Sequence, residues 1–296
     1  MWRRRRCGEC MTEARTSEMA PEWPTLSLII PAYNEERRLP TTMEAVLAYL
    51  TSQPYTWEVL IADDGSEDAT AAIAAGWQQR EARVRHLRLP HRGKAAAVLS
   101  GVMAAHGQFI VFTDADLSTP IHYLEPMMAL LNQGWDIVIG SREGETAQRL
   151  GEPWHRHLMG RVFNWVVQLL AVPGIPDTQC GFKGFHAAVA RTLFAACQLY
   201  RNDTLPVRGP RVTGFDVELL YVARRAGYRI AILPVTWRHV PGSKVDPVTD
   251  SMRMLGDVLR VRWYAWRGRY DASLPSSLAS LPGQHQDKAT IPEVRK

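Results

Sequence analysis

The chain has 296 residues, of which 46% are hydrophobic and 22% are charged, a composition that is ordinary for a globular protein with a full core. Its formal net charge of +5 suits an anionic partner such as a nucleotide, a phosphate or a membrane surface, and it is too small to indicate nucleic-acid binding. No apolar run reaches the length of a transmembrane helix, and the basic N-terminus lacks the apolar segment of a signal peptide, so we expect a cytoplasmic protein.

The first half of the chain alternates between the periods of strands and helices. Strands are predicted at 25–33, 57–65, 84–89, 108–114 and 136–142. Helices are predicted at 35–50, 66–80 (with Ser66 as N-cap), 93–106 and 120–134. Because the strands are almost continuously apolar, this alternation predicts the α/β class, with a mostly parallel sheet covered by helices on both faces.

The second half is less regular. Helices are predicted at 155–172, 214–227 and 246–270, and a strand at 228–235, whereas the Pro- and Gly-punctuated stretch 173–185 is predicted to be a loop. Residues 1–24 are predicted to be a disordered arm, and residues 271–296, rich in Ser, Pro and Gln, a disordered tail. A single domain over 25–270 follows from this division.

Polar side chains follow all five strands of the first half. They are Asn34 and Glu35, Asp63 and Asp64, the segment from His91 to Lys94, Asp114 and Asp116, and Ser141 and Arg142. Ligands of parallel sheets bind outside the carboxyl ends of the strands. The pattern therefore predicts one polar crevice at that edge of the sheet.

Two acids that follow a buried strand suggest a metal. Asp114 and Asp116 stand two residues apart in VFTDADLSTP, and a divalent cation would relieve their repulsion. Mg²⁺ and Mn²⁺ prefer oxygen ligands, often one or two carboxylates together with substrate phosphates. Lys94, after Gly93 at a helix start, suits a phosphate. These residues indicate a metal-bound diphosphate, although a solvated loop or a helix N-terminus would also place acids here.

The motifs together carry a family resemblance. The segments SLIIPAYNEERRLP, VLIADDGSEDAT, HRGKAAAV, FTDADLSTP, IGSR, DTQCGFKGF, GFDVELLYVARRAGYRI and HVPGSKV occur in an order that resembles family 2 glycosyltransferases. Within that family they are most similar to dolichyl-phosphate and polyprenyl-phosphate glucose synthases. The resemblance implies a GT-A fold, an inverting transfer, and a nucleotide-sugar donor bound with Mg²⁺ or Mn²⁺. It also implies a nucleotide-sugar half at 25–145 and an acceptor half, with C-terminal helices, at 146–270.

The resemblance also implies roles for individual residues. Those that would bind the nucleotide sugar are Pro31, Tyr33, Glu35, Asp63, Asp64, Lys94, Asp114 and Ala115. Asp116 would be the main metal ligand, with Asp114 beside it. Asp216 matches the position of the general base, and Arg142 would lie near the diphosphate or the acceptor phosphate. The candidates for binding the acceptor phosphate are Arg142, Arg211, Ser243 and Lys244.

The acceptor decides what Asp216 does. A hydroxyl acceptor must lose a proton, which a carboxylate base would take. A polyprenyl phosphate is already an anion and needs cations instead, and Asp216 would then orient the sugar or a cation, or simply complement a helix dipole. The leading hypothesis is transfer of glucose from UDP-glucose to a polyprenyl or dolichyl phosphate. The alternatives are a saccharide or other hydroxyl acceptor, and a nucleotide-sugar-binding protein without turnover.

The last predicted helix carries an apolar stripe made of Met252, Leu255, Leu259, Trp263, Trp266 and Tyr270. Arg253, Arg260 and Arg267 recur every seven residues on another face. A basic amphipathic helix with tryptophans suits a membrane interface, and the predicted helix 155–172 is also strongly apolar. The sequence thus predicts peripheral docking on the inner face of a membrane, with a helix packed on the domain as the alternative.

Overall fold

A computed structural model describes residues 23–151, 154–199, 213–240 and 247–271. The strands are β1 Leu26–Ala32, β2 Trp57–Asp63, β3 Val84–Arg88, β4 Phe109–Phe112, β5 Ile137–Ser141, β6 Gln148–Leu150, β7 Lys183–His186, β8 Ile230–Pro234 and β9 Thr236–Arg238. The helices are α1 Leu39–Thr51, α2 Thr70–Arg80, α3 Lys94–Ala104, α4 Leu124–Asn132 (preceded by a 3₁₀ turn, Ile121–Tyr123), α5 Trp154–Leu170, α6 Ala187–Ala196, α7 Phe215–Arg225 and α8 Pro247–Trp266.

Seven of these strands form one sheet in the order β3-β2-β1-β4-β7-β5-β8, while β6 and β9 form a separate parallel pair. Strand β7 runs antiparallel to both of its neighbours, so β4 and β5 run in the same direction. The carboxyl ends of the other six strands therefore lie at one edge of the sheet. This confirms the prediction of a mostly parallel α/β sheet and of one edge at which the polar strand ends meet.

Strand β7 and helix α6 were not predicted. Strand β7 lies inside the stretch 173–185 and beyond it, so the prediction of a loop there is wrong at its C-terminal end. The strand is short, it begins with Lys183, and it contains Gly184, all of which obscure a strand pattern. Gly184 is needed because a Cβ at this position would approach the Met127 sulfur to 2.5 Å.

The start of α2 also differs from the prediction. The helix begins at Thr70 with Ala69 at the N-cap position, so Ser66 is not its cap. The Ser66 hydroxyl instead accepts a hydrogen bond from the Asn34 backbone N–H at 3.0 Å. Asp68 accepts one from the Thr70 N–H at 2.9 Å. Residues 66–69 are thus a connection tied to the end of β1, which delays the helix by one turn.

The core lies on both faces of the sheet because side chains alternate along each strand. On β1, Leu28 and Ile30 face a cluster that includes Met43 of α1 and Leu130 of α4. Ile29 faces the opposite cluster, which contains residues of α3, α6, α7 and α8. Two buried layers hold the strands rigidly, so the side chains at the carboxyl ends sit on a fixed frame.

Candidate active site

Two Lys–Asp ion pairs lie next to each other at the edge of the sheet where the carboxyl ends of the parallel strands meet. Lys94, the first residue of α3, forms an ion pair with Asp114, which follows β4. Lys183 of β7 donates to Asp216 Oδ1 at 2.5 Å and to the Cys180 carbonyl at 2.6 Å. Asp216 lies in the first turn of α7. The structure therefore brings three predicted site residues together and adds Lys183, which sequence reasoning missed.

The electrostatics show that the two pairs influence each other. Burial alone would lower the pKa of Lys94, but the charges of Asp114 and Asp216 raise it above its usual value. Burial would raise the pKa of Asp114, whereas Lys94, Lys183 and Arg142 lower it. Lys94 and Asp114 thus respond to charges beyond their own pair, and these charges favour the ionised form of both.

Asp116 presents an open carboxylate oxygen. Its Oδ1 accepts a hydrogen bond from the Ser118 N–H at 2.9 Å, and within the described ranges Oδ2 has no hydrogen-bond partner. The intervening turn is strained, because Leu117 has a φ of 47°, a left-handed value that a leucine rarely adopts. Strain of this kind clusters at functional sites, and the strained residue here directly follows Asp116.

The donor set fits a divalent cation that shares its ligands with a substrate. No three His, Cys, Asp or Glu side chains converge as a metal cage in the part of the chain that the structure describes. Asp114 and Asp116 supply two carboxylates, and Asp116 has an oxygen available. Mg²⁺ and Mn²⁺ commonly bind through one or two carboxylates and complete their shell with phosphate oxygens and water. The arrangement matches that pattern.

Arg142 is fixed by a bidentate ion pair with Asp177. Its Nε donates to Asp177 Oδ2 at 2.7 Å, its Nη2 to Oδ1 at 2.9 Å, and its backbone N–H to Oδ2 at 2.9 Å. Burial would raise the pKa of Asp177, but the charge and hydrogen bonds of Arg142 lower it well below its usual range. The guanidinium also lies 5.6 Å from the ring of Trp237. Asp177 lies in the segment DTQCGFK, and no functional role was predicted for it from the sequence.

The predicted donor-side acids have partners within the protein. Asp64 accepts hydrogen bonds from the backbone N–H groups of Arg92 and Gly93, both at 2.8 Å, and His91 lies 2.8 Å from its Oδ2. Gly93 has a φ of 94°, so the loop needs glycine there. Asp63 is fully buried and accepts a hydrogen bond from the Ser66 backbone N–H at 2.9 Å, so its carboxylate supports the turn that follows β2.

The other predicted donor-side residues lie along the same edge. The Tyr33 ring stacks on His91 with centroids 3.9 Å apart and nearly parallel planes. Pro31 is buried within β1. The Glu35 side chain is 3.2 Å from Arg38, and the Ala115 carbonyl accepts a hydrogen bond from the Thr42 hydroxyl at 2.6 Å. These contacts hold the residues at or beside the carboxyl ends of β1 and β4.

Arg211, Ser243 and Lys244 lie outside the described residues. Arg149 is a further cation on the acceptor side that sequence reasoning did not single out. Its Nη2 donates to Glu143 at 2.9 Å, and its Nε donates to the Arg142 carbonyl at 3.3 Å. Arg149 lies on the short strand β6, and no pattern in the sequence predicted its position beside Arg142.

Helices α5 and α8 present an exposed apolar surface, which we call the α5/α8 surface. It consists of Trp165, Leu169, Met252, Leu259, Trp263 and Trp266. Trp266 is 82% exposed. Helix α8 packs inward through a different face, where Val258 and Val261 are buried. The prediction that Tyr270 continues the apolar stripe of α8 is wrong, because Tyr270 lies beyond the end of the helix, and its side chain is fully buried and donates to Glu218 at 2.8 Å. None of the described helices is both long and apolar enough to cross a bilayer.

Solved structures share this architecture and define it as the GT-A class of glycosyltransferase folds. Glucosyl-3-phosphoglycerate synthase from Mycobacterium tuberculosis, solved with Mn²⁺, UDP and phosphoglyceric acid, has a TM-score of 0.54 and 19% identity, covering 86% of this chain and 80% of that one. Mannosyl-3-phosphoglycerate synthase from Rubrobacter xylanophilus has a TM-score of 0.55 and 15% identity, covering 86% and 77%. The predicted fold is confirmed.

Sequence comparison then gives the family. The profile described as glycosyl transferase family 2 matches residues 27–194. The dolichyl-phosphate beta-glucosyltransferase of Dictyostelium discoideum is 34% identical over 252 residues, covering 80% of this chain and 74% of the relative. The human protein with the same description is 35% identical over 261 residues, covering 82% and 77%. The chain therefore belongs to glycosyl transferase family 2, as the motifs indicated.

Proposed function

We propose that the protein transfers glucose from UDP-glucose to a dolichyl or polyprenyl phosphate, with inversion at the anomeric carbon. The similarity to two relatives described as dolichyl-phosphate beta-glucosyltransferases supports this activity. The single observation that carries it is the buried pair between Lys183 and Asp216. Asp216 is already engaged by an ammonium group, which suits a role in fixing a cation better than a role in removing a proton. A phosphate acceptor is an anion before it reacts and needs no base.

The donor would lie across β1, β2 and β4. Tyr33 and Asp64 are proposed to bind the nucleoside. Asp114 and Asp116 are proposed to hold Mg²⁺ or Mn²⁺, which when bound neutralises charge on the diphosphate. Lys94 is proposed to stabilise the negative charge that grows on the departing UDP.

The acceptor phosphate would enter from the side of Arg142, whose guanidinium is held in place by Asp177. An arginine positioned in this way offers a fixed charge to a phosphate. Arg211, Ser243 and Lys244 are proposed to complete this acceptor site. The phosphate oxygen attacks the sugar from the face opposite UDP, and a rigid array of cations favours this alignment.

The prenyl chain of the acceptor resides in a membrane, and the α5/α8 surface is proposed to bind the inner face of that membrane. Exposed Trp263 and Trp266 on α8 are of the kind that sit at the level of lipid headgroups. Arg253 and Arg260 are exposed on the same helix, Arg267 is exposed directly after it, and all three would attract anionic lipids. The proposed partner is therefore a bilayer that contains anionic lipid.

One assay tests the proposed function. The protein is incubated with Mg²⁺ or Mn²⁺, labelled UDP-glucose and a short polyprenyl phosphate, and the products are extracted with organic solvent. The matched control acceptor is the free prenol, which has the same chain but a hydroxyl in place of the phosphate. We expect label in the organic phase when the acceptor is the polyprenyl phosphate, and none when it is the free prenol. Transfer to the prenol, or label confined to a water-soluble glycan, would contradict the proposal. Replacing UDP-glucose by other nucleotide sugars in the same assay then tests whether glucose is the sugar that is transferred.

A further inference from the structure

The start of α7 is held by a residue from α8. The Gly214 N–H, at the N-cap position of α7, donates to Asp257 Oδ2 at 3.0 Å. The Gly214 carbonyl accepts hydrogen bonds from the first turn of the helix, from the N–H groups of Val217 at 3.0 Å and Glu218 at 3.3 Å. Both backbone polar groups of Gly214 are thus engaged, and its N–H is bound by a side chain from outside the helix, that of Asp257.

Asp216 lies two residues after Gly214, in the first turn of α7. Its carboxylate meets Lys183, which is fully buried on the central strand β7. Because β7 is fixed between two neighbouring strands, Lys183 offers one rigid point. The direction in which α7 begins then determines whether the Asp216 carboxylate reaches it.

The approach of α8 to α7 is as close as glycine allows. A Cβ at position 214 would lie 2.8 Å from the Asp257 Cβ, a distance that real side chains do not show. Asp257 itself is 4% exposed. Its negative charge is also favourably placed at the positive end of the α7 dipole. The contact between α7 and α8 therefore depends on two residues: Gly214, which leaves room for the close approach, and Asp257, which accepts the hydrogen bond.

We propose that Asp257 is a positioning residue for Asp216: by binding the Gly214 N–H it sets the start of α7 and so keeps Asp216 in contact with Lys183. This inference rests on the proposed function, since Asp216 is taken to belong to the reacting centre. It assigns to α8 a part in catalysis that is separate from its exposed outer surface.

The test compares four variants in glucosyl-lipid synthesis with a short polyprenyl phosphate in micelles. For Asp257→Ala we expect kcat to fall about tenfold, the size of losing one hydrogen bond to a charged group, with the KM for UDP-glucose within about twofold of the wild type. Gly214→Ala perturbs the same contact from the other side and should act alike. Asp257→Asn keeps an acceptor oxygen and should retain most of kcat. Tyr270→Phe, the matched control, removes a different hydrogen bond to α7 and should lower Tm but spare kcat.

Hydrogen exchange provides a readout that does not need the acceptor. The amides at the start of α7 should exchange faster in Asp257→Ala and Gly214→Ala, and at the wild-type rate in Asp257→Asn. An unchanged kcat in Asp257→Ala, an equal loss in Tyr270→Phe, or a failure of Asp257→Asn to restore kcat would overturn the inference. If the wild type uses a hydroxyl acceptor instead, the proposed function fails, and the same variants measured with that acceptor still test Asp257.

Discussion

The charged groups of the donor side and of the acceptor side are held in different ways. Asp64, on the donor side, accepts hydrogen bonds from backbone N–H groups of a neighbouring loop. On the acceptor side, Arg142 pairs with Asp177 and Lys183 pairs with Asp216, through side chains that are 35 and 33 residues apart along the chain. The donor-side acid Asp64 is therefore held by a loop, whereas the acceptor-side charges are held by long-range ion pairs, as Asp114 is by Lys94.

This difference predicts different consequences of substitution. An acid bonded to backbone N–H groups fixes a local loop, so its loss should act mainly on the ligand which that loop contacts. A buried ion pair is costly to break, because the partner left behind is a charge without compensation. Substitutions on the acceptor side should therefore reduce stability and turnover together, whereas substitution of the partly exposed donor-side Asp116, which accepts one hydrogen bond, should reduce turnover with little change in stability.

The largest expected effect is on the donor side, at Asp116. Asp116→Ala removes the carboxylate with the open oxygen, and kcat should fall by about a thousandfold, as when a group that stabilises developing charge is lost. Metal-dependent UDP binding, measured by calorimetry with and without Mn²⁺, should also disappear. Tm should stay near that of the wild type, because the side chain accepts one hydrogen bond from Ser118. UDP binding that still responds to Mn²⁺ would refute Asp116 as a ligand.

The next effect is on the acceptor side, at Lys183. Lys183→Met has a similar volume but leaves Asp216 buried without its cation, and we expect the free energy of unfolding to fall by about 3–5 kcal/mol. Denaturation by urea measures this loss. The matched variant is Lys183→Met combined with Asp216→Asn, which removes both charges and should regain most of the lost stability. If the double variant is no more stable than Lys183→Met, the loss of unfolding free energy does not come from leaving the Asp216 charge without its partner.

The Arg142–Asp177 pair gives a smaller effect that depends on pH. The pKa of Asp177 is lower in the folded protein than in the unfolded chain, so its contribution to stability is present above the unfolded pKa of about 3.9 and is lost as the pH falls toward the folded pKa. Asp177→Asn should therefore cost about 2 kcal/mol at pH 7, the size of hydrogen bonds to a charged group. The difference from the wild type should shrink below about pH 4. A difference that is constant with pH would count against the ion pair.

The same contrast explains what the sequence could and could not predict. The strand ends that carry Asp64, Asp114 and Asp116 were found because strand periodicity and the parallel-sheet rule locate them without knowledge of tertiary contacts. Lys183 and Asp177 were missed because their roles depend on partners distant in sequence. Their local surroundings, a stretch rich in Pro and Gly, resemble a loop. The one available signal was Lys183 itself, which follows Phe182 and stands two residues before Phe185, because a lysine in an apolar setting is seldom fully buried unless it is paired.

The exposed stripe on α8 shows the same limit in another form. Periodicity predicted an amphipathic helix but left open which face points outward. The structure answers this, since Trp263 and Trp266 are exposed while Val258 and Val261 pack inward. Tyr270 was assigned to the wrong face because the chain turns at Gly268, which has a φ of 67°, and the helical period no longer applies beyond it.

The smallest expected effect separates the outer surface from the crevice. Replacing Trp263 and Trp266 by Ser should weaken flotation with vesicles that contain anionic lipid by about tenfold, because two amphipathic rings no longer enter the headgroup region. UDP binding should not change, since neither residue borders the crevice. The control is Trp23→Ser, an exposed tryptophan before β1 that lies outside the α5/α8 surface; it should float like the wild type. Equal flotation of the wild type and both variants would mean that the α5/α8 surface contacts something other than lipid. Helix α8 would then not be the part of the acceptor side that meets the membrane.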